Sequence, residues 1–466
     1  MQLQNFGHNI SLAPTNTYVP TSEAEVLTIL SKHRGERIQA VGRLHSWSGA
    51  IQATGVVIDL RKLNEVRIEV RDGESWAIIA SGCQLKRAVF ELDKAGLTLP
   101  TLGLIDEQSI AGAAATGTHG SGRHSISHYI DEIRIAIYDT QTSEPTIRTI
   151  QSGPELLAAR CSLGCLGVVL SVVIRCRNQY RIEQHFRLAK DLSSVLESET
   201  EYPIQQFYLL PFRWDYLVQH RKETDRSTSI LTWVHRFYWF TTVDLGLHII
   251  LIFFRRWLRS NTLIKWFYHV GIPLTVIRNW KVVDQSQNLL TMKHDLFRHI
   301  EIEVFVLRRD LASALQFAES LLRFVAGDPT AISGEMWTRL DSHDLATKVR
   351  SCATYVHHYP ICVRKVLGDA TLISMASGEG EEYYAISFIS YDHPDRRAGF
   401  FAFAELLCKT TTQLFDARPH WGKVCPIDSR SADHLYPRLG EFRSTRDDFD
   451  PNHVFTNNWT QNILTK

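Results

Sequence analysis

Residues 100–124 read PTLGLIDEQSIAGAAATGTHGSGRH. Five glycines, at 103, 112, 117, 120 and 122, are spread through the stretch, and the alanines between 111 and 115 keep its side chains small. Such a run lets the backbone pass within van der Waals contact of a large flat ligand and aim its amides at phosphates. The plainer reading is a flexible loop. The alanine and apolar content argues instead for a packed segment.

On both sides the chain mixes short β-rich runs with helical spacing. EAEVLTILSKH (23–33) has the apolar period of a helix, and IQAVG (38–42), VVIDL (56–60) and WAIIASG (76–82) read as strands. LKRAVFELDKAGL (85–97) is an amphipathic helix stopped at Gly96, and IDEIRIAIYD (130–139) and LGVVLSVVIRC (166–176) are further strands. No G-x-G-x-x-G turn follows a strand, so no Rossmann half is expected. Aromatic residues are dense between about 181 and 290. Beyond them IEIEVFVL (300–307) reads as a strand and DLASALQFAESLLRFV (310–325) as an amphipathic helix with Asp310 at its N-cap. YPICVRKV (359–366), TLISMA (371–376) and YYAISFISY (383–391) are strand-like, and AGFFAFAELLCKTTTQLF (398–415) is helical. The pattern is α+β, with a second α+β domain in the later half. The stretch from 430 is polar, and there is no internal repeat.

The chain has 466 residues, enough for two large domains or three ordinary ones and for a core that encloses a big cofactor. Lysine plus arginine is 51 against 50 aspartate plus glutamate, a net charge of +1. A protein built to hold nucleic acid would show a basic excess, so that class is set aside. Eight cysteines include no C-x-x-C pair. Cys161 and Cys165 alone make a poor zinc site, so no metal is expected. The thiols read as reduced and the protein as intracellular. No basic-then-apolar leader opens the sequence, so no signal peptide is expected.

FYWFTTVDLGLHIILIFF (237–254) is strongly apolar and is followed by Arg255, Arg256 and Arg259. Its length is marginal for a membrane span. Asp244 and His248 lie inside it, and a mid-bilayer acid costs roughly 2.5–3.5 kcal/mol. A core helix or a helix lying in a membrane surface therefore fits better than a span. The expected location is cytoplasmic or peripheral to a membrane.

Three shorter motifs complete the pattern. VGRLHSWSG (41–49) puts a histidine and small hydroxyl residues in a loop after a strand, where amides can approach a phosphate; a lone loop histidine is more often simply hydrogen-bonded. SLGCLGVVLSVV (162–173) places glycines before a β-run, which is equally a tight strand approach. ARPHWGK (417–423) holds a histidine and a lysine among proline, tryptophan and glycine; the lysine could stabilise negative charge near a redox ring, or simply sit in a surface turn.

Taken in order, VG-x-x-HS, DEQSIAGAAATGTHGSG, SLG-x-LG-V-V, RPHWGK and the closing DP-x-x-x-F-x-N resemble the aldonolactone oxidase family. This is the sugar-lactone and alditol branch of the vanillyl-alcohol-oxidase-type (PCMH) FAD flavoproteins. The resemblance runs from about residue 10 to the last residue. It implies a two-subdomain FAD-binding domain over 1–180, an α+β substrate domain over 181–425 and a segment 426–466 returning to the FAD domain. It places His45 at the position that carries FAD covalently in many members. Gly42, Arg43, Leu44, Ser46 and Trp47 would wrap the pyrophosphate. Ser109, Gly112, Thr116, Gly117, His119 and Gly120 would line the flavin and its phosphates, Gly167 and Val169 would meet FAD through backbone, and His420 would lie beside it.

HHYPICVRKVLGDATLIS (357–374) resembles the family's Y-P-x-E-V-R segment. Arg364 matches the arginine facing substrate oxygen, and Lys423 the lysine beside the flavin. The family glutamate two residues before that arginine is Cys362 here. The alditol-oxidase histidine near 383–390 is also missing, with Ala385 at the nearest position and Ser387 as the polar substitute. The implied reaction is oxidation of a secondary alcohol of a sugar-1,4-lactone or related polyol by hydride transfer to flavin N5, with O2 or another acceptor reoxidising the flavin. His357, His358 and water are the candidate bases. Two alternatives stay open. One is a flavoenzyme of the same fold acting on another, lipid-linked sugar at a membrane; the other is a flavin-binding scaffold with little catalysis.

Overall fold

The computed structural model describes residues 3–292 and 296–465. Three of its sheets organise the chain. In the first, β1 (Asn16–Tyr18), β2 (Ile38–Val41) and β3 (Val56–Asp59) run parallel in the order β1-β3-β2. Parallel strands need a crossover, which α1 (Glu23–Lys32) supplies between β1 and β2. The Ser22 hydroxyl accepts from the Glu25 amide at 3.2 Å, and Val26, Ile29 and Leu30 turn inward. Cap and apolar stripe therefore specify the same helix.

The second sheet is antiparallel, with β4 (Val66–Arg71), β5 (Glu74–Ala80), β6 (Ile130–Tyr138), β7 (Pro145–Ile150) and β8 (Val168–Arg175) in the order β7-β6-β8-β5-β4. The glycine-rich segment folds onto it. Its centre is a short helix, α2 (Ile110–Ala115), whose Ile110, Ala113 and Ala114 join Ile79, Ile133 and Ile174 in one core. The segment is packed, as its alanine content requires.

The third sheet has eight strands, all paired antiparallel. They are β9 (Arg181–Ala189), β10 (Gln206–Leu209), β11 (Tyr216–Thr224), β12 (Val282–Gln285), β13 (Ile300–Leu307), β14 (Ile361–Leu367), β15 (Glu382–Ser390) and β16 (Arg418–Pro419), in the order β12-β9-β11-β10-β14-β15-β13-β16. Alternation gives its faces opposite characters. Phe207, Val218, Ile302, Val304, Val363, Ile386 and Phe388 point to one face and pack under helices Leu311–Val325 and Ala398–Phe415. The other face carries Gln184, Gln206, Gln219, Arg221, Glu301, Glu303, Cys362 and Arg364, which line a cavity.

Four details depart from the sequence reading. TLISMA (371–376) is not a strand but a buried turn, because the Asp369 carboxylate accepts from the Thr371 amide at 3.0 Å and from the Ser374 hydroxyl at 2.9 Å. Asp310 sits at the start of Leu311–Val325 without a side-chain cap bond. The polar stretch from 430 forms helices Ser429–Leu435, Leu439–Phe449 and Asn458–Leu464, whose Leu435, Phe442, Phe449 and Ile463 lie in the same core as α2. The apolar segment is not a core helix. It belongs to the 27-residue helix Thr232–Leu258, only 17% of whose most apolar window is buried. Trp239–Leu247 and Phe253–Leu258 are π-helical turns, which widen the helix locally. Arg255 anchors it through two bonds to the Asp392 carboxylate, at 2.6 and 3.1 Å.

Candidate active site

The three motif loops meet. A Cβ at Gly42 would stand 2.0 Å from Ser109 Oγ, so only glycine lets the loop after β2 close on α2. The Trp47 amide donates to the Gly422 carbonyl at 2.9 Å and the Ser46 hydroxyl to the same carbonyl at 3.2 Å, tying that loop to ARPHWGK. The Asn457 carboxamide reaches the carbonyls of Gly49, Ala50 and Gln52, each at 3.1 Å, and holds the loop from behind. Trp421 is fully buried and donates to the Ile373 carbonyl at 2.6 Å, so the turn carrying His420 and Lys423 is rigid.

His45 stacks on Phe6 with centroids 5.0 Å apart. Burial pushes its pKa down to about 4, so the imidazole is neutral. Its Nδ1 and the Nε of Arg43 are buried with no partner among the described residues. Buried polar atoms are normally paired. Two orphans in the loop that closes on Ser109 fit a loop that expects a ligand. Gly112 is exposed beside them, and Gly117 has φ of +73°, a conformation that glycine adopts without strain. Gly167 and Val169 do not line the cavity, and Gly167 is pressed against the Ala136 carbonyl instead.

The cavity has a volume of about 370 Å³. Its inner end is charged. Glu303 faces His119 Nε2 at 3.4 Å, His420 Nε2 at 4.0 Å and Arg364 Nη1 at 3.8 Å. Lys423 forms an ion pair with Glu301, and its Nζ lies 4.5 Å from the Trp47 ring centre. The Ser387 hydroxyl on β15 lies within hydrogen-bond reach of both Glu301 and Glu303 and donates its one hydrogen between them. Burial opposes ionisation of Glu303, but His119, His420 and Lys423 hold its carboxyl well below the usual glutamate range. His420 is neutral, its pKa pushed by burial to about 3. Its Nδ1 accepts from the Gly422 amide at 2.9 Å, so the ring proton sits on Nε2 and faces Glu303. The Nδ1 of His119 lies 2.9 Å from the Gly120 carbonyl and must carry hydrogen, which turns its Nε2 toward Glu303 at 3.4 Å.

His119, Glu303 and His420 each offer one ligand atom within 4.8 Å of the others. Arg364 and Lys423 flank the same carboxylates, and two such cations repel a divalent ion. The cluster suits proton handling better than metal binding.

Beyond Arg364 the lining is a row of carboxamides that ends at Arg221. Arg364 Nε donates to Gln206 at 3.3 Å, Gln206 to Gln219 at 2.7 Å, and Gln219 to Gln184 at 2.8 Å. The outer chamber is apolar, walled by Phe186, Leu210, Leu217, Val243, Leu247 and Ile272. Within it, burial raises Asp244 to about 6. His248 donates to the Val243 carbonyl at 3.0 Å and accepts from the Tyr359 hydroxyl at 3.0 Å.

Of the residues expected from sequence, His119, Cys362, Arg364, His420 and Lys423 line the cavity, and Ser387 stands behind its two glutamates. His357 and His358 do not. His357 bonds the Tyr355 hydroxyl at 3.0 Å and His358 accepts the Tyr391 amide at 2.9 Å, both inside the core. They are discarded as bases. Glu301 and Glu303 belong to IEIEVFVL, which the sequence marks only as a strand, with no motif that singles out its acids.

The chain is similar to known proteins along nearly all of its length. An FAD binding domain matches residues 14–140, and the profile of D-arabinono-1,4-lactone oxidase matches residues 168–463. The chain belongs to the D-arabinono-1,4-lactone oxidase family. As such it binds FAD and is an FAD-dependent oxidoreductase acting on CH–OH donors, with the α+β fold of the vanillyl-alcohol-oxidase type. The family assignment replaces the scaffold alternative. A long-chain alcohol oxidase of an uncultured marine euryarchaeote is 49% identical over 99% of this chain and 97% of its own. The L-gulono-1,4-lactone dehydrogenase of Mycobacterium tuberculosis is 26% identical over 97% and 96%. Mouse L-gulonolactone oxidase is 24% identical over 100% and 98%. Cholesterol oxidase from B. sterolicum shares the fold, with a TM-score of 0.71 at 14% identity over 99% of this family member and 96% of that chain.

Proposed function

We propose that the enzyme oxidises long-chain alcohols at the charged end of the cavity. The observation that carries this reading is the apolar chamber joined to that end, a wall set that favours an alkyl chain over a hydrated sugar. The similarity to a long-chain alcohol oxidase supports it. When bound, FAD supplies the hydride acceptor for the alcohol carbon. Arg364 orients and polarises the hydroxyl oxygen. Glu303 takes the hydroxyl proton, with His119 Nε2 3.4 Å away to hold the carboxylate in place. His420 Nε2–H and Ser387 position Glu303. Lys423 is kept at the Trp47 side by Glu301, where it can stabilise negative charge on a ligand. Gly42, Arg43, Leu44, Ser46, Trp47, Ser109, Gly112, Thr116, Gly117 and Gly120 would hold the cofactor, over a unit formed by 1–180 and 426–466. Residues 181–425 would hold the substrate.

The test is anaerobic mixing with 1-dodecanol, 1-butanol and L-gulono-1,4-lactone while flavin absorbance is followed. Bleaching by dodecanol at the lowest concentration is expected. Bleaching by the lactone alone would overturn the reading. A sugar lactone is the second reading, because Gln184, Gln206 and Gln219 could hydrogen-bond its hydroxyls. O2 or another acceptor would complete turnover.

His45, neutral and with Nδ1 unpaired, is the proposed covalent anchor. Denatured protein should keep flavin fluorescence on a gel, and His45→Ala should lose it; fluorescence retained in the variant would exclude His45 as the anchor.

A membrane surface is the proposed docking partner. Trp233, Phe237, Phe253, Trp257 and Leu274 are exposed on residues 232–275. Arg259, Lys265, Arg278 and Lys281 nearby form no ion pair among the described residues. Apolar and aromatic groups rimmed by free cations suit an anionic interface. Co-sedimentation with phosphatidylglycerol-containing vesicles is expected, and Trp257→Ser with Leu274→Ser should lower the bound fraction. An unchanged bound fraction would remove this face from the contact.

A further inference from the structure

We propose that Arg221 forms a carboxylate-binding subsite in the polar arm of the cavity, so that the enzyme accepts hydroxy acids with the hydroxyl at Arg364 and Glu303 and the carboxylate at Arg221. The proposal rests on the alcohol reading for the hydroxyl end. Its anion subsite rests on separate observations.

Arg221 lies on β11, is 5% exposed, and lines the cavity. Its Nε donates to the Gln184 oxygen at 2.8 Å and its Nη2 to the Leu289 carbonyl at 2.6 Å. Neither partner carries charge. Its Nη1 has no hydrogen-bond partner among the described residues. The surrounding acids are committed elsewhere. Glu303 faces His119 and Arg364, Glu301 pairs with Lys423, Glu183 with Arg226, and Asp284 with Arg236. Burial drives the pKa of Arg221 down only to about 10, so it stays cationic at neutral pH.

The glutamines cannot supply the missing acceptor. Gln206 accepts from Arg364, Gln219 from Gln206, and Gln184 from both Gln219 and Arg221. Every carboxamide oxygen in the row is already engaged. The free N–H of this guanidinium opens on the cavity, where an anionic ligand can meet a charge that no acid of the protein neutralises. A carboxylate matches its planar fork. The apolar neighbours Ile105, Leu289 and Met292 favour an organic acid over a hydrated inorganic anion.

The register sets the length. Arg364 pairs with Gln206 and Gln206 with Gln219, so β14 and β11 are two strand steps apart, and Arg221 is on the same face as Gln219. Two steps span about 10 Å across the sheet, and the two residues from Gln219 to Arg221 add about 7 Å along the strand, for a backbone separation of about 12 Å. An ω-hydroxy acid between 6-hydroxyhexanoate and 10-hydroxydecanoate covers that separation.

The test compares 6-hydroxyhexanoate and 10-hydroxydecanoate with 1-hexanol and 1-decanol on the flavin-loaded enzyme, in wild type, Arg221→Gln and Arg221→Lys. The wild type is expected to favour the acid over the alcohol of equal length. The acid-to-alcohol ratio of kcat/KM should fall about tenfold or more in Arg221→Gln, mainly through KM, because a hydrogen bond to a charged group is lost. Arg221→Lys should recover part of it. A ratio unchanged in Arg221→Gln would overturn the proposal. Binding of decanoate, read from its perturbation of the flavin spectrum, does not depend on turnover. If no alcohol bleaches the flavin but decanoate still binds in an Arg221-dependent way, the alcohol reading fails and the subsite stands. If decanoate binds wild type and Arg221→Gln equally, the subsite fails.

Discussion

Glu303→Gln is expected to lower the rate of alcohol-dependent flavin reduction by about 10²- to 10⁴-fold while flavin content stays at the wild-type level. Glutamine keeps the shape of the side chain and can still accept from Ser387, but it cannot take a proton. The change also leaves Arg364 without its facing carboxylate at 3.8 Å. Single-turnover bleaching is the measurement, since it isolates the reductive half. The pH profile adds a second readout. Glu303 must be ionised to act, and its pKa lies well below the usual 4.5. Acid therefore switches this group off only below pH 4.5, and the wild-type rate should show no loss from it between pH 7 and 4.5. A variant that bleaches at the wild-type rate would remove Glu303 from the proton path.

Val243→Trp is expected to reduce the ratio of kcat/KM for 1-dodecanol to that for 1-butanol by about 100-fold. Val243 lies on Thr232–Leu258 and faces the apolar chamber. An indole there displaces the far end of a long chain. Losing room for about four methylenes at about 0.8 kcal/mol each removes about 3 kcal/mol of binding. Butanol, held near Arg364 and Glu303, does not extend that far. Equal losses on both alcohols would show that the chamber does not hold the chain.

Much of this fold is legible from local pattern. The strands at 38–41, 56–59 and 168–175 and the helices at 311–325 and 398–415 follow from apolar period and turn residues, because each buries one consistent face. The glycine-rich segment is legible because alanines mark a packed backbone. The charged end of the cavity is less so. Glu301 and Glu303 lie 59 or more positions from Cys362, Arg364 and Ser387 in the sequence, and only the order β14-β15-β13 brings them together. The acids that share the cavity with Cys362 stand two strands away, a proximity that linear spacing cannot reveal. TLISMA failed for a simpler reason: β-branched residues suggest a strand, but the Asp369 side chain captures the local amides first.

The contact between Asn457 and the loop at Gly49–Gln52 joins residues more than 400 positions apart. During synthesis on the ribosome the loop bearing His45 emerges long before the residue that secures it. A nascent chain or a degradation fragment lacking that residue therefore has a slack cofactor loop. The carbonyls of Gly49, Ala50 and Gln52 therefore gain these bonds only once the last residues of the chain are in place.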